Sequence, residues 1–221
     1  MFYDDEVKNL LPDVFEEYAR DKKNRCFIKI HDAYTYNGMG KPIVPTTVSS
    51  AVLYLVRNPL DIIASLASHV GTSFERAVNL MNDPNGYMVE QHNNHNVRDQ
   101  FPQLLLDWSG HVQSWLEQGE IPVHLIRYED LKSNPEYYFE QALGFIKMDY
   151  KVADIKVAVQ AAEFSRLKGQ ELKFKFRENS SKNKSFFRYG EMNRWKVELK
   201  ATLVESIAAK HFSTMQQLRY L

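Results

Sequence analysis

Two kinds of apolar pattern alternate along the chain. Short continuous runs at Cys26–Ile30, Ala51–Val56 and Pro122–Arg127 predict strands, the last two of the kind buried on both faces. Longer stretches repeat apolar residues at helical spacing. A helix is predicted from Pro12 to Lys23, with Pro12 in its first turn and Val14, Phe15 and Tyr18 on one face. Asn58 as N-cap and Pro59 at the first helical position open another, whose buried stripe is Leu60, Ile63, Ala64 and Ala67. Further helices are predicted at Ser73–Met81, Phe101–Glu117, Asn134 to Ile146, Lys151–Leu167 and Leu199–Gln217. Leu104, Leu105, Trp108, Val112 and Trp115 form the core face of the 101–117 helix. Leu203, Val204, Ile207, Phe212 and Met215 form that of the last. Residues 32–47, punctuated by Asn37-Gly38, Gly40, Pro42 and Pro45, read as loop, and so do residues 173–193. Residues 83–100 are polar and poorly patterned. Strands separated by helices predict an α/β fold, a parallel sheet flanked by helices with right-handed crossovers. No repeat or linker divides the chain, so residues 1–221 are expected to be a single domain.

Composition narrows the classes. With 44% apolar and 25% charged residues in 221, the chain has an ordinary globular balance. Lys+Arg and Asp+Glu both number 28, so the net charge is zero and a nucleic-acid partner is not expected. An anionic ligand needs a local cluster of cations instead. The single cysteine, Cys26, excludes an internal disulfide framework and a cysteine zinc cage. Apolar runs such as Ala51–Val56 are too short to span a membrane, and Met1–Asp5 lacks a signal-peptide core. A cytoplasmic protein without a membrane partner is the expectation.

The segment from Tyr54 to Ser65 carries the clearest chemistry. A strand ends at Val56, Arg57 and Asn58 follow, and a helix opens at Pro59. Chain exits from parallel strands are where α/β proteins bind ligands. The N–H groups and dipole of the new helix favour an anion there. Arg57 can grip a phosphate through two hydrogen bonds, and Ser65 on the second turn can donate another. Two other patterns carry less. Asn37-Gly38-Met39-Gly40-Lys41-Pro42 lacks the hydroxyl residue and the following helix of a phosphate-cradling loop. His92 and His95, with Asp99 nearby, offer too few ligands for a metal site, so no metal is expected.

The Tyr54–Ser65 segment resembles the 3′-phosphate-binding motif of sulfotransferases that use 3′-phosphoadenosine 5′-phosphosulfate (PAPS). Four further segments agree in the family's order. Phe27-Ile28-Lys29-Ile30-His31-Asp32 is similar to the family's strand carrying Lys-Thr-His, and Leu125-Ile126-Arg127-Tyr128-Glu129-Asp130-Leu131 to its Arg/Phe-Tyr-Glu-Asp-Leu strand end. Glu163-Phe164-Ser165-Arg166-Leu167 resembles the segment near the adenine. Phe186-Phe187-Arg188-Tyr189-Gly190, followed by Trp195-Lys196, resembles the Arg-Lys-Gly…Trp-Lys loop. The likeness spans residues 26–221 and is nearest to small bacterial members.

The resemblance implies transfer of a sulfuryl group from PAPS to a hydroxyl or amine of a small or medium-sized acceptor. The other product is 3′,5′-diphosphoadenosine. His31 matches the general base and Lys29 the lysine that stabilises the transferring group, with Ile30 in place of the threonine. Arg57, Ser65 and Arg188 match the 3′-phosphate ligands, and Gly190 lets the backbone approach. Tyr128 and Phe164 match the adenine contacts, at its edge and on its face. Asp61 and Glu129 match structural orienters, and Tyr189 stands where the family has lysine. The family's first motif, a strand and Pro-Lys-Ser-Gly loop that binds the 5′-phosphosulfate, has no counterpart before Cys26. The fold is therefore expected to be P-loop-nucleotidase-like without its first βα unit. The chain as given is expected to bind diphosphoadenosine weakly, to show no appreciable transfer, and to form homo-oligomers through strand edges at Val52–Val56 and Val123–Ile126. A non-catalytic 3′-phosphoadenosine-binding remnant is the alternative.

Overall fold

Residues 4–20, 25–87, 103–174 and 185–221 are described by the structure, a computed structural model. In chain order the elements are α1 (Asp4–Arg20), β1 (Val52–Val56), α2 (Pro59–Val70), α3 (Phe74–Met81), α4 (Trp108–Leu116) and β2 (Val123–Arg127). They continue with α5 (Tyr128–Ser133), α6 (Pro135–Phe145), α7 (Val152–Ala161), α8 (Phe164–Phe174), α9 (Trp195–Glu198) and α10 (Ala201–Gln217). Two compact units emerge, one of residues 1–52 and 80–123, the other of residues 53–79 and 124–221. Among the described residues no helix is long and apolar enough to cross a membrane.

The 53–79/124–221 unit holds the parallel pair β1–β2 with helices around it. Tyr54, Val56 and Ile126 are buried, but Leu55 is 63% exposed. Successive strand residues point to opposite faces, so β1 is covered on the Tyr54–Val56 side and not on both. The start of α2 is as expected. The Asn58 side chain accepts from the Leu60 N–H at 3.0 Å, Pro59 follows, and Leu60, Ile63, Ala64 and Ala67 are all buried. The helix stops at Gly71, whose φ of 72° closes a left-handed cap. It packs on α9 and α10.

Three helical expectations change in detail. The stretch expected to be helical over 151–167 is two helices, α7 and α8, broken at Ala162 and Glu163. The six-residue α5 follows β2 directly and is too short to show a period. The last helix is kinked at His211 (φ −111°, ψ 16°). Four residues after Ile207 on the buried face, His211 is 1% exposed, whereas Phe212, one position on, is 54% exposed, reversing its expected core assignment; Ile207 and Met215 are buried as expected.

In the 1–52/80–123 unit, α1 begins well before Pro12, which sits inside the helix with its ring fully buried. An interior proline forfeits one helix hydrogen bond, and here its ring lies in the core. Residues 21–23 of the expected helix lie outside the described residues. Cys26–Ile30 does not form the expected strand. Its cysteine is exposed, as are Phe27 (63%) and Ile28 (47%), and no described segment lies alongside it in a ladder. A strand needs a neighbour for its N–H and C=O groups, and apolar content does not provide one.

The 37–42 loop is closed by its own asparagine. The Asn37 side-chain oxygen accepts from the Met39 N–H at 3.0 Å and the Lys41 N–H at 2.9 Å, and Tyr36 bridges Pro42. Those N–H groups are taken, and buried Ile43 and Val44 follow in place of a helix, so this is a structural turn. Helix α4 starts at Trp108, later than the apolar spacing suggests, because Asp107 caps it through the Gly110 N–H at 2.7 Å and Leu106 has φ 59°. Leu104 and Leu105 therefore lie in the preceding loop, Trp108 is half-buried, and Val112 and Trp115 are in the core.

One side of α4 grips the chain at residues 31–34. His111 Nε2 meets the His31 carbonyl at 3.0 Å and Trp115 Nε1 donates to the Asp32 carbonyl at 3.0 Å. Ser114 Oγ accepts the Tyr34 N–H at 3.0 Å. A carbonyl only accepts, so Nε2 of His111 carries its proton. Burial, partly offset by this bond, holds the His111 pKa below the ordinary histidine value. As pH falls through about 6.5 the unfolded chain takes the proton first. The stability His111 contributes is therefore complete above that pH and lost as pH drops towards its folded value. His111→Gln is expected to be less stable than the parent at pH 7 and to lose less stability between pH 7 and pH 5. Urea midpoints at both pH values measure this; parallel losses in the two proteins would show that His111 is not the titrating group.

Candidate functional site

The turn between β1 and α2 is held from below by Glu129. One carboxylate oxygen accepts the Asn58 N–H at 3.0 Å, and the other accepts the Tyr220 hydroxyl at 3.0 Å. Burial and the Glu129 charge raise the Tyr220 pKa, so its phenol stays protonated and keeps donating. Arg127 lies 4.8 Å from the Tyr220 ring. Glu129 is thus the orienter its place in the sequence suggests.

Arg57 leaves this turn with its guanidinium carbon 4.3 Å from the centre of the Tyr128 ring. Its Nη2 donates to the Glu191 carbonyl at 2.6 Å, and its Nε is buried without a partner. The Tyr128 hydroxyl donates to the Gly190 carbonyl at 2.9 Å. Burial raises the Tyr128 pKa while Arg57 acts the other way. Arg57, Tyr128 and residues 190–191 therefore form one connected group. Asp61, on the first turn of α2, is 8% exposed and accepts the N–H groups of Asn193 at 2.7 Å and Trp195 at 3.1 Å. It fastens the far end of the same loop.

Gly190 is where the loop passes closest to α8. Its φ is 64°, and a Cβ built on it would stand 2.3 Å from the Phe164 ring. Only glycine meets both conditions without displacement. Arg188 is half-buried, with Nη2 3.4 Å from Glu198 Oε1. Tyr189 carries the Arg194 guanidinium 3.7 Å above its ring. Ser65 lies exposed on the second turn of α2.

The structure therefore gathers Arg57, Tyr128, Phe164, Arg188 and Gly190 in one unit. Two residues absent from the sequence reading also bear on them. Lys168 Nζ donates to the Arg188 carbonyl at 3.2 Å, and the Glu171 carboxylate accepts from residues 185–187. Their only signal in the sequence is helical spacing from Phe164. In the other unit, Lys29 is exposed and His31 half-buried, on the segment whose backbone α4 holds. Among the described residues no cluster of His, Cys, Asp and Glu suits a metal ion, and His92, His95 and Asp99 lie outside the described residues.

Comparison with known proteins bears on this arrangement. The sulfotransferase domain family matches residues 40–219. The structure is similar to mouse sulfotransferase SULT7A1 complexed with PAP, at 19% identity and TM-score 0.63, covering 88% of this chain and 68% of that one. It is also similar to retinol dehydratase in complex with androsterone and inactive cofactor PAP, at 14% identity and TM-score 0.64, covering 90% of this chain and 56% of that one. At these identities the two structures show a shared fold. No curated protein sequence matches the chain.

Gly190→Ala is expected to destabilise the protein by about 1–3 kcal/mol, because the methyl group must displace the Phe164 ring and adopt a left-handed backbone. In a Phe164→Leu background the same substitution should cost less. Equal costs in both backgrounds, read from urea unfolding, would show that the Phe164 ring is not what excludes a side chain at residue 190.

Proposed function

The chain belongs to the sulfotransferase domain family, and from that premise we propose that it transfers a sulfuryl group from PAPS to a hydroxyl or amine of a small or medium-sized acceptor. The observation that carries this reading is the group formed by Arg57, Tyr128, Gly190 and Phe164. A guanidinium with a buried, unpartnered Nε lies at the exit of β1, against the Tyr128 ring and the 190–191 backbone. Such a place suits an anionic ligand that takes charge-assisted donors.

In this proposal Arg57 and Arg188 bind the 3′-phosphate and Ser65 adds a hydroxyl donor. Tyr128 sets the Gly190 carbonyl, and the Phe164 face receives the adenine. PAPS supplies the sulfuryl group and leaves as 3′,5′-diphosphoadenosine. His31 accepts the proton of the acceptor O–H or N–H as the new bond to sulfur forms and the sulfur–oxygen bond to the leaving phosphate breaks. Lys29 stabilises charge on the transferring group. An imidazole suits the base because its ordinary pKa is near 6.5.

Arg57→Ala is expected to weaken 3′,5′-diphosphoadenosine about tenfold or more, as loss of a charge-assisted bond would, with little change for AMP. Equal losses for the two ligands in calorimetry would remove Arg57 from the 3′-phosphate.

In the chain extended by a relative's 5′-phosphosulfate loop, His31→Ala is expected to lower sulfuryl transfer about 100-fold or more, the usual share of a general base, and to leave diphosphoadenosine affinity nearly unchanged. Radiolabelled PAPS with a panel of phenols, alcohols and amines measures it. Full activity in the variant would exclude His31 as the base, and an extended parent that binds diphosphoadenosine but transfers nothing would favour the binding-only alternative.

A further inference from the structure

Phe164, Lys168 and Glu171 stand at positions i, i+4 and i+7 of α8, on one side of the helix. The segment 185–190 runs along that side in the opposite direction. Glu171, 8% exposed, accepts the Ser185 hydroxyl at 2.6 Å and the N–H groups of Phe186 and Phe187 at 2.5 and 3.1 Å. One turn back, Lys168 donates to the Arg188 carbonyl at 3.2 Å. One further turn back, the Phe164 ring occupies the space beside Gly190. Seven helical residues rise about 10.5 Å, and the three steps from Phe187 to Gly190 span about 10 Å when extended. The helix side and the segment are matched in length.

We propose that Lys168 and Glu171 are positioning residues that fix the register of residues 185–190, so that Arg188 and no neighbouring side chain is delivered to the 3′-phosphate. The inference rests on the nucleotide reading of the Arg57–Arg188 group. The physical argument is one of register. Residues 185–190 lack a helix or sheet ladder to fix them, so their placement depends on side-chain acceptors and donors. A slip by one residue would bring Phe187 or Tyr189 to the place of Arg188. It would also set a Cβ against the Phe164 ring. Glu171 holds one end against that slip, Lys168 holds the arginine's own carbonyl, and Phe164 admits only glycine at the other end. Lys168 and Glu171 act through Arg188 and not on the phosphate itself.

The test uses the full chain and calorimetry with 3′,5′-diphosphoadenosine and with AMP. Glu171→Gln and Lys168→Met are each expected to lower the ratio of the two affinities by about tenfold, the effect of one misplaced charge-assisted bond. AMP affinity should change less than twofold. Amide hydrogen exchange of residues 186 and 187, without ligand, should quicken in Glu171→Gln. A loss that lowers both affinities equally, or unchanged exchange at 186 and 187, would overturn the proposal and leave the two residues with a general stabilising role. Arg57→Ala is the control. If it lowers the ratio while Glu171→Gln and Lys168→Met do not, positioning is wrong and the nucleotide reading stands; if it leaves the ratio unchanged, the nucleotide reading itself fails.

Discussion

An irregular segment must find acceptors for its main-chain N–H groups, and in the 185–195 loop carboxylates provide them. Glu171 takes those of residues 186 and 187, and Asp61 takes those of residues 193 and 195. Both carboxylates are 8% exposed. A buried carboxylate costs several kcal/mol unless hydrogen bonds offset the lost hydration, and a buried N–H without an acceptor costs about 1–3 kcal/mol. Each requirement meets the other here. The loop stays in place with little help from sheet or helix, and its two arginines, Arg188 and Arg194, are half-buried beside Glu198. The Arg57, Tyr128 and Gly190 contacts depend on this hold.

The charge distribution follows from the same division of roles. Net charge is zero, so no long-range field draws an anion to the protein as a whole. Locally, acidic side chains serve as internal struts. Glu129 props the β1–α2 turn, and Glu198 lies between Arg188 and Arg194. Arg188 is thereby held in one orientation and partly neutralised. In the proposed complex a phosphate would take the place of the long, 3.4 Å contact with Glu198, which keeps Arg194 as its nearer partner at 3.1 Å.

How much of this was legible in the sequence depends on the kind of information each feature carries. The start of α2 was readable in full, because Asn58, Pro59 and the Leu60–Ala67 stripe are all local signals. The motif around Gly190 suggested backbone approach to a ligand, whereas the close approach in the structure is to the Phe164 ring, a contact that no local signal carries. Cys26–Ile30 misled because strandness is a relation to a neighbour and not a property of five residues. Phe212 misled because its apolar character outweighed its place, five residues after Ile207 and off the face where a histidine, His211, holds the core position. Pro12 misled because a proline can lie within a helix when its ring is buried. Glu171 and Lys168 were visible only as spacing on α8. Nothing in that spacing says which loop they hold, since the partners are encoded 14 to 20 residues away with no period of their own.

The lone cysteine has a practical side. Cys26 is exposed and stands five residues ahead of His31, on a stretch that belongs to neither a helix nor a strand. A thiol-reactive fluorophore or spin label can therefore be attached at a single chemical position without altering the sequence. The label would report on the neighbourhood of the proposed base, while Arg57, Arg188 and Gly190 stay unmodified. Acceptor binding at that proposed base could then be followed spectroscopically, with the core left in its native form.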